Sequence, residues 1–277
     1  ISLDALRDRL SAAERDGRLP KVLVVVHLAG HLVNMRAVSE LVSDYGVRIV
    51  EDASHAIGSA FDGDRTGNCA YSDICVFSFH PVKVITAAEA GVSTTNDRAL
   101  ALRMSELRSH GITRDPARFQ FPGEGAWYYE QQALGLNYRL SDLHAALGHS
   151  QLQRLDQYVD KRIDLARRYV ESLESVTVVE PAAGVRSAWH LAIVRCGSAD
   201  RRARLFTALR AADIGVNVHY IPIYRQPYYR QLGFRSTDYP GSEAFYSQVL
   251  SLPLYPMLDE DNQQLIIRHV NEFFQKP

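Results

Sequence analysis

The chain has 277 residues, 46% hydrophobic and 23% charged, with 31 basic and 32 acidic side chains and a formal net charge of -1. That supplies a sizeable core, expected as one larger and one smaller domain, and it leaves no basic field to draw the chain to nucleic acid or to a membrane surface. Cys69, Cys75 and Cys196 form no CxxC pair, which argues against a disulfide framework or a metal site and for a reducing, cytoplasmic setting with a small-molecule partner.

In chain order, "LDALRDRLSAAERDG" has helical spacing and a glycine stop, "KVLVVVH" is a continuous β-branched run, "MRAVSELVSDYG" is helical again and "VRIVEDA" is a second apolar strand. Uniformly apolar strands joined by amphipathic helices predict a mostly parallel sheet covered on both faces, an α/β arrangement in which ligands collect at the carboxyl ends of strands. "SDICVFSF" and "AGVSTTND" add two strands, and "RALALRMSELRSHG" adds a helix. The aromatic, Pro/Gly-rich stretch "RDPARFQFPGEGAWYYEQQALGLNYR" is too long and irregular for a simple connection and reads as a functional loop. From the N-cap candidate Ser141, apolar residues recur at helical spacing to Ser175, which predicts one long bridging helix over 141–175. It separates a large domain over 1–140 from a small α+β domain over 176–277. In the small domain "VTVVE", "AWHLAIVR" and "GVNVHY" are the expected strands and 201–212, 243–250 and 259–274 the expected helices. No run approaches the roughly 18 apolar residues of a membrane span.

Two strands end in chemistry. "RIVEDA" closes on Asp52, and "FSFHPVK" closes on Ser78 and then Lys83. If the strands are neighbours, an acid and an amine face each other across one sheet edge. A pyridine-aldehyde cofactor requires such a pair: a carboxylate keeps its ring nitrogen protonated, and a lysine amine forms a Schiff base with its aldehyde. Ser78 is placed to donate to a phosphate and His55 to touch the ring. Each residue alone has a plainer reading: Asp52 as a strand-end cap, Lys83 as a solvated surface lysine, Ser78 as a turn residue, His55 as a satisfied structural histidine.

The ordered set "EDASHAIG", "FSFHPVK", "EAG" and "NYRLSD" shifts that balance. From about Lys21 onward the chain resembles the DegT/DnrJ/StrS sugar aminotransferases, pyridoxal 5'-phosphate enzymes of the type I transferase fold. The resemblance implies Lys83 as the catalytic, cofactor-bound lysine, Asp52 as the partner of the ring nitrogen, His55 as its neighbour, Ser78 as a phosphate ligand and Asn137 as a phosphate ligand of the other subunit. It also implies a homodimer with shared active sites, and glutamate as amino donor. "AWYYEQQALGLNYRLSD" and "IGVNVHYIPIYRQPYYRQLGF" look like the branch that aminates C4 of a UDP-linked 4-keto-6-deoxy-N-acetylaminosugar toward pseudaminic acid. That makes Tyr128, Tyr129, His219 and Tyr220 candidates for the nucleotide-sugar pocket, although "VNVHYIP" also reads as an edge strand stopped by proline.

Two departures accompany the likeness. The family has Gly-Gly where this chain has Ala90 and Gly91, and an alanine fits poorly where backbones approach closely. The family also carries roughly 100 residues, the size of a small domain, before the position of Ile1, so the large-domain sheet is expected to be N-terminally incomplete. Three other readings stay open: a pyridoxamine-dependent dehydratase, disfavoured because that relative has histidine in place of Lys83; an aminotransferase for another nucleotide sugar; and a non-catalytic fragment without a phosphate-binding loop.

Overall fold

The computed structural model describes residues Ile1 to Gln275, which form two compact units. The first comprises Ile1–His27, Val33–Ile57 and Gly63–Arg154; the second comprises Leu28–Leu32, Gly58–Asp62 and the residues from Leu155 onward. Up to Arg154 the elements are α1 (Leu3–Arg15), β1 (Val22–Val26), α2 (Met35–Val42), β2 (Arg48–Asp52), the short β3 (Ala60–Phe61) and β4 (Asp64–Arg65), β5 (Ile74–Ser78), β6 (Gly91–Thr94), α3 (Arg98–Arg108), β7 (Ile112–Thr113), β8 (Glu130–Gln131) and α4 (Asp142–Leu152). Beyond it come α5 (Leu155–Ser172), β9 (Thr177–Val178), β10 (Val185–Arg186), β11 (Ala192–Arg195), α6 (Ala199–Ala211), α7 (Pro227–Gln231), α8 (Pro240–Gln248), β12 (Val249–Leu252) and α9 (Glu260–Gln275).

The first unit is built on a four-stranded sheet in the order β1-β2-β5-β6, with β1, β2 and β5 parallel and β6 antiparallel. Its helices start where the sequence offers caps: Ser2, Asn34 and Asp97 accept backbone N–H groups at the first turns of α1, α2 and α3. Leu10 of α1 and Met35, Val38 and Val42 of α2 pack with Val25 and Ile49 in one apolar cluster. Cover on both faces, expected from the apolar strands, is not found along β1. Val22, Val24 and Val26 alternate away from the helices and remain 48%, 55% and 50% exposed, as side chains of period two must when helices cover one face.

In the second unit β11 pairs antiparallel with β12 and β9, and the sheet packs with α5, α6 and α9 around Tyr169, Val194, Leu205, Leu250 and Val270. Arg162 is buried; its Nη1 donates to the carbonyls of Trp189, His190 and Leu254, and burial lowers its pKa to about 10. The Tyr169 hydroxyl donates to the Pro253 carbonyl at 2.9 Å.

Three expectations are corrected. The single helix over 141–175 is two, α4 and α5, interrupted at Gln153 and Arg154, and the boundary between the units falls at the same place. Val249 and Leu250, expected at the end of the helix over 243–250, instead open the wholly buried strand β12. "GVNVHY" forms no strand, only one antiparallel pair between Asn217 and Ser251. Among the described residues no helix is long and apolar enough to cross a membrane, and no group of three or more His, Cys, Asp or Glu is placed to hold a metal.

The core makes a direct prediction. Leu205→Ala should lower unfolding stability by about 2–5 kcal/mol, and Tyr169→Phe, which removes one buried hydrogen bond, by about 1 kcal/mol. Urea unfolding curves of the two variants check both the order and the size.

Candidate active site

The sheet register brings the two motif strands together. Val26 lies level with Asp52 in the β1/β2 pair, and Asp52 with Val76 in the β2/β5 pair, so Ser78 is two residues farther along on the same face. Asp52 and Ser78 therefore stand on the side of the sheet away from α1 and α2, at the carboxyl ends of parallel strands. The Ala53 N–H donates to the Val76 carbonyl at 2.9 Å and the Ser54 N–H to Asp52 Oδ1 at 3.0 Å, which fixes the peptides just past Asp52. The Ser78 hydroxyl accepts the His80 N–H at 3.4 Å. His55 is buried in the turn that follows β2.

Lys83 sits in the turn after β5, where its N–H donates to the His80 carbonyl at 2.9 Å. The Thr86 hydroxyl and the Ala87 N–H both bond the Phe79 carbonyl and close this turn back on the strand end. Burial lowers the Lys83 pKa below the usual lysine value, opposed by the negative charge of Asp52. The acid and the amine thus act on one another. The alanine at position 90 is accommodated without strain: the left-handed residue of this turn is Ala88, at φ 59°, and the close backbone approach falls on Gly91, where an added Cβ would meet the Phe77 carbonyl oxygen at 3.2 Å.

The aromatic loop is organised by two buried glutamates. Glu106 accepts the Arg118 guanidinium. Glu130 accepts the N–H groups of Gln120 and Phe121 at 2.7 and 2.9 Å, the Gln132 amide at 3.3 Å and the Tyr128 hydroxyl at 3.2 Å. Burial works to raise the Glu130 pKa, but these donors outweigh it and hold it below the ordinary value; the Tyr128 phenol is raised by burial and by the Glu130 charge. Tyr128 is thereby tied into its own loop, edge-on to Phe119, whereas Tyr129 is exposed beneath the Arg114 guanidinium. Asn137 is exposed on a segment that pairs with the end of α3 through Ser109. His219 and Tyr220 belong to the second unit, where His219 Nδ1 and the Ser251 hydroxyl lie 2.8 Å apart.

Residues 11–271 match the model of the DegT/DnrJ/EryC1/StrS aminotransferase family. The chain belongs to that family. It is 34% identical over 240 residues to the UDP-4-amino-4,6-dideoxy-N-acetyl-beta-L-altrosamine transaminase of Campylobacter jejuni, covering 83% of this chain and 60% of that protein. Among solved structures it resembles a putative sugar aminotransferase of Streptococcus pneumoniae in its PMP-form (TM-score 0.85, 29% identity, 92% of this chain and 70% of the other). It also resembles Helicobacter pylori PseC, an aminotransferase involved in the biosynthesis of pseudoaminic acid (TM-score 0.85, 30% identity, 94% and 68%). The chain spans 60–67% of the length of the curated relatives compared with it.

The donor set of this DegT/DnrJ/EryC1/StrS chain suits pyridoxal phosphate: a half-buried carboxylate for the ring nitrogen, an amine of lowered proton affinity for the aldehyde and a hydroxyl on the same face for the phosphate. The motifs did not reveal two further groups. Glu130 was hidden because two of its four partners are backbone groups and the other two are side chains of the same irregular loop. His27 and Glu51 meet through a 2.8 Å contact inside the sheet, and the only trace of them in sequence is a histidine closing "KVLVVVH" and an acid preceding Asp52.

Two outcomes follow from the charges. Asp52→Asn removes the one influence that raises the Lys83 pKa, so the amine should titrate still lower; NMR titration of isotopically methylated lysines, assigned with Lys83→Arg, measures this. Because the Glu130 pKa is depressed on folding, its support of the loop is complete above the unfolded glutamate value, about 4.3, and is lost as pH falls through the folded one. The Gln120 and Phe121 amides should therefore be protected from hydrogen exchange at neutral pH and lose protection in Glu130→Gln.

Proposed function

We propose that this sequence carries a pyridoxal-phosphate-dependent aminotransferase that moves an amino group from glutamate to C4 of a nucleotide-linked 4-keto-6-deoxy sugar, specifically the UDP-4-amino-4,6-dideoxy-N-acetyl-beta-L-altrosamine transaminase reaction of pseudaminic acid biosynthesis. The observation that carries this reading is the Lys83 amine, its proton affinity lowered by burial, acting on Asp52 at the carboxyl ends of β2 and β5. The likeness to the Campylobacter jejuni transaminase and to Helicobacter pylori PseC supports the choice of sugar.

When bound, pyridoxal phosphate supplies an electron-withdrawing ring and an aldehyde that takes up amines. In this reading Asp52 holds a proton on the ring nitrogen, with one of its oxygens already oriented by the Ser54 N–H. Lys83 would hold the cofactor at its aldehyde, and its amine, of lowered pKa, would be suited to hold and pass on a proton near neutral pH. Ser78 donates to the phosphate, and His55 lines the ring. Tyr128 and Tyr129 of the first unit and His219 and Tyr220 of the second are the candidates to contact the nucleotide sugar. Glutamate and ketosugar use the site in turn, which gives ping-pong kinetics.

The reading includes a homodimer in which Asn137 serves the partner's phosphate site. In support, Leu134, Tyr138 and Leu143 are 92%, 72% and 83% exposed, and α4 has no buried residue. So dense an apolar run on a soluble chain marks an interaction surface, and Asn137 stands within it.

After borohydride reduction in the presence of the cofactor, peptide mass analysis should find the cofactor mass on Lys83, and Lys83→Ala should carry none and lose transamination by orders of magnitude; label elsewhere would overturn the assignment. A panel of keto-sugar nucleotides, read by amine formation, decides between the altrosamine precursor and another nucleotide sugar. For the shared site, mixing an inactive Lys83→Ala chain with an Asn137→Ala chain should restore part of the activity, because one site of each mixed dimer then carries neither lesion. If subunits exchange and no activity returns, Asn137 acts within its own chain.

A further inference from the structure

We infer that His27, Glu51 and Ser72 form a positioning chain that holds the Asp52 carboxylate on the open face of the sheet, at the edge where the Lys83 turn follows β5. This rests on the reading of Asp52 and Lys83 as the cofactor pair.

Glu51 and Asp52 are consecutive in β2 and so point to opposite faces of the sheet. Asp52 takes the open face, whereas Glu51 lies level with Val25 and Cys75 on the face covered by helices and is buried. His27, one residue beyond β1, is fully buried. The Val33 N–H donates to His27 Nδ1 at 3.2 Å, which assigns the proton to Nε2, and Nε2 donates to Glu51 Oε2 at 2.8 Å. The Ser72 hydroxyl donates to Glu51 Oε1. Both oxygens of the carboxylate are thus occupied, one from the end of β1 and one from the residues leading into β5. The backbone N–H of His27 donates in addition to the Asp52 carbonyl at 3.1 Å.

A buried carboxylate is costly even when it is bonded, and an apolar side chain of similar volume would stabilise the sheet as well or better. The bonds to Glu51 seen here come from an imidazole and a hydroxyl. The neighbouring Cys75 thiol is held in its neutral form by burial first and by the Glu51 charge second. What the arrangement does supply is orientation. With both Glu51 oxygens fixed below the sheet and the Asp52 carbonyl fixed to His27, the pleat of β2 cannot rotate, and the Asp52 side chain is aimed at the other face. Sub-ångström placement of such a group is what catalytic sites require of their supporting residues.

The test reads the Lys83 titration by NMR without cofactor, together with the melting temperature. His27→Ala leaves the Glu51 charge in place but removes the ring, and should lower the Lys83 pKa further, by about one unit, a tenfold change in proton affinity. Glu51→Gln, which can still accept from His27 and donate to Ser72, should keep it near the wild-type value. In an Asp52→Asn background His27→Ala should have no further effect, because the chain acts through Asp52. Ser72→Ala, a milder lesion expected to shift the titration in the same direction, stands in if His27→Ala does not fold. A lowered melting temperature with an unchanged Lys83 titration in the folded variants would reduce the chain to a structural brace and overturn the proposal, as would an equal shift in the Asp52→Asn background. Borohydride labelling of Lys83 in the unmodified protein reports separately on the cofactor reading, so the two can fail independently.

Discussion

The parallel register of β2 against β5 is the constraint on which the candidate site depends. It places Asp52 level with Val76 and therefore puts Ser78 and the Lys83 turn at the same sheet edge as the acid. A slip of one residue would turn Asp52 to the helix-covered face and Glu51 to the open one, exchanging the two acids. The apolar partners on the covered face resist that slip: Val25 and Ile49 are buried with the α1 and α2 side chains, and a shifted strand would carry charge into their place. Packing on one face thus selects which acid is presented on the other.

The Lys83 turn adds a second level of control. Burial pulls the amine toward its neutral form, and the Asp52 charge pulls it back. An amine that must act both as a nucleophile and as a proton carrier is useful when neither influence dominates, since a fully desolvated lysine would not hold the proton and a fully paired one would not release it. The turn obtains its shape from the Phe79 carbonyl, which accepts both the Thr86 hydroxyl and the Ala87 N–H.

Legibility in the sequence followed the range of the interactions. The position of Asp52, Ser78 and Lys83 at the ends of neighbouring strands was readable because each lies within a few residues of a strand whose apolar run announces it, and α1, β1 and β2 were readable from their own patterns. The uncovered face of β1 was not, because an apolar strand has the same composition whether one face or both are covered. Val249 and Leu250 read as a helix end because two apolar residues after a helical pattern fit either period, and only pairing with β11 decides for a strand. The break at Gln153 and Arg154 involves neither glycine nor proline, so no local signal marks it. Glu130 and Glu106 order a long loop through backbone groups, one tyrosine, one glutamine and one arginine, and such partners have no sequence signature.

The two adjacent acids of β2 illustrate how one fold assigns different tasks to the same chemistry. Asp52 is half-buried, with one oxygen given to the Ser54 N–H, and so keeps capacity for another partner on the open face. Glu51 is buried, with both oxygens taken by His27 and Ser72, and has little capacity left for a ligand. A carboxylate that is to meet a cofactor must retain an unspent acceptor, whereas one that is to fix a strand must spend all of them. Hydrogen-bond occupancy, rather than residue type or nearness to Lys83 along the chain, therefore separates the acid proposed to meet the cofactor from the acid proposed to aim it.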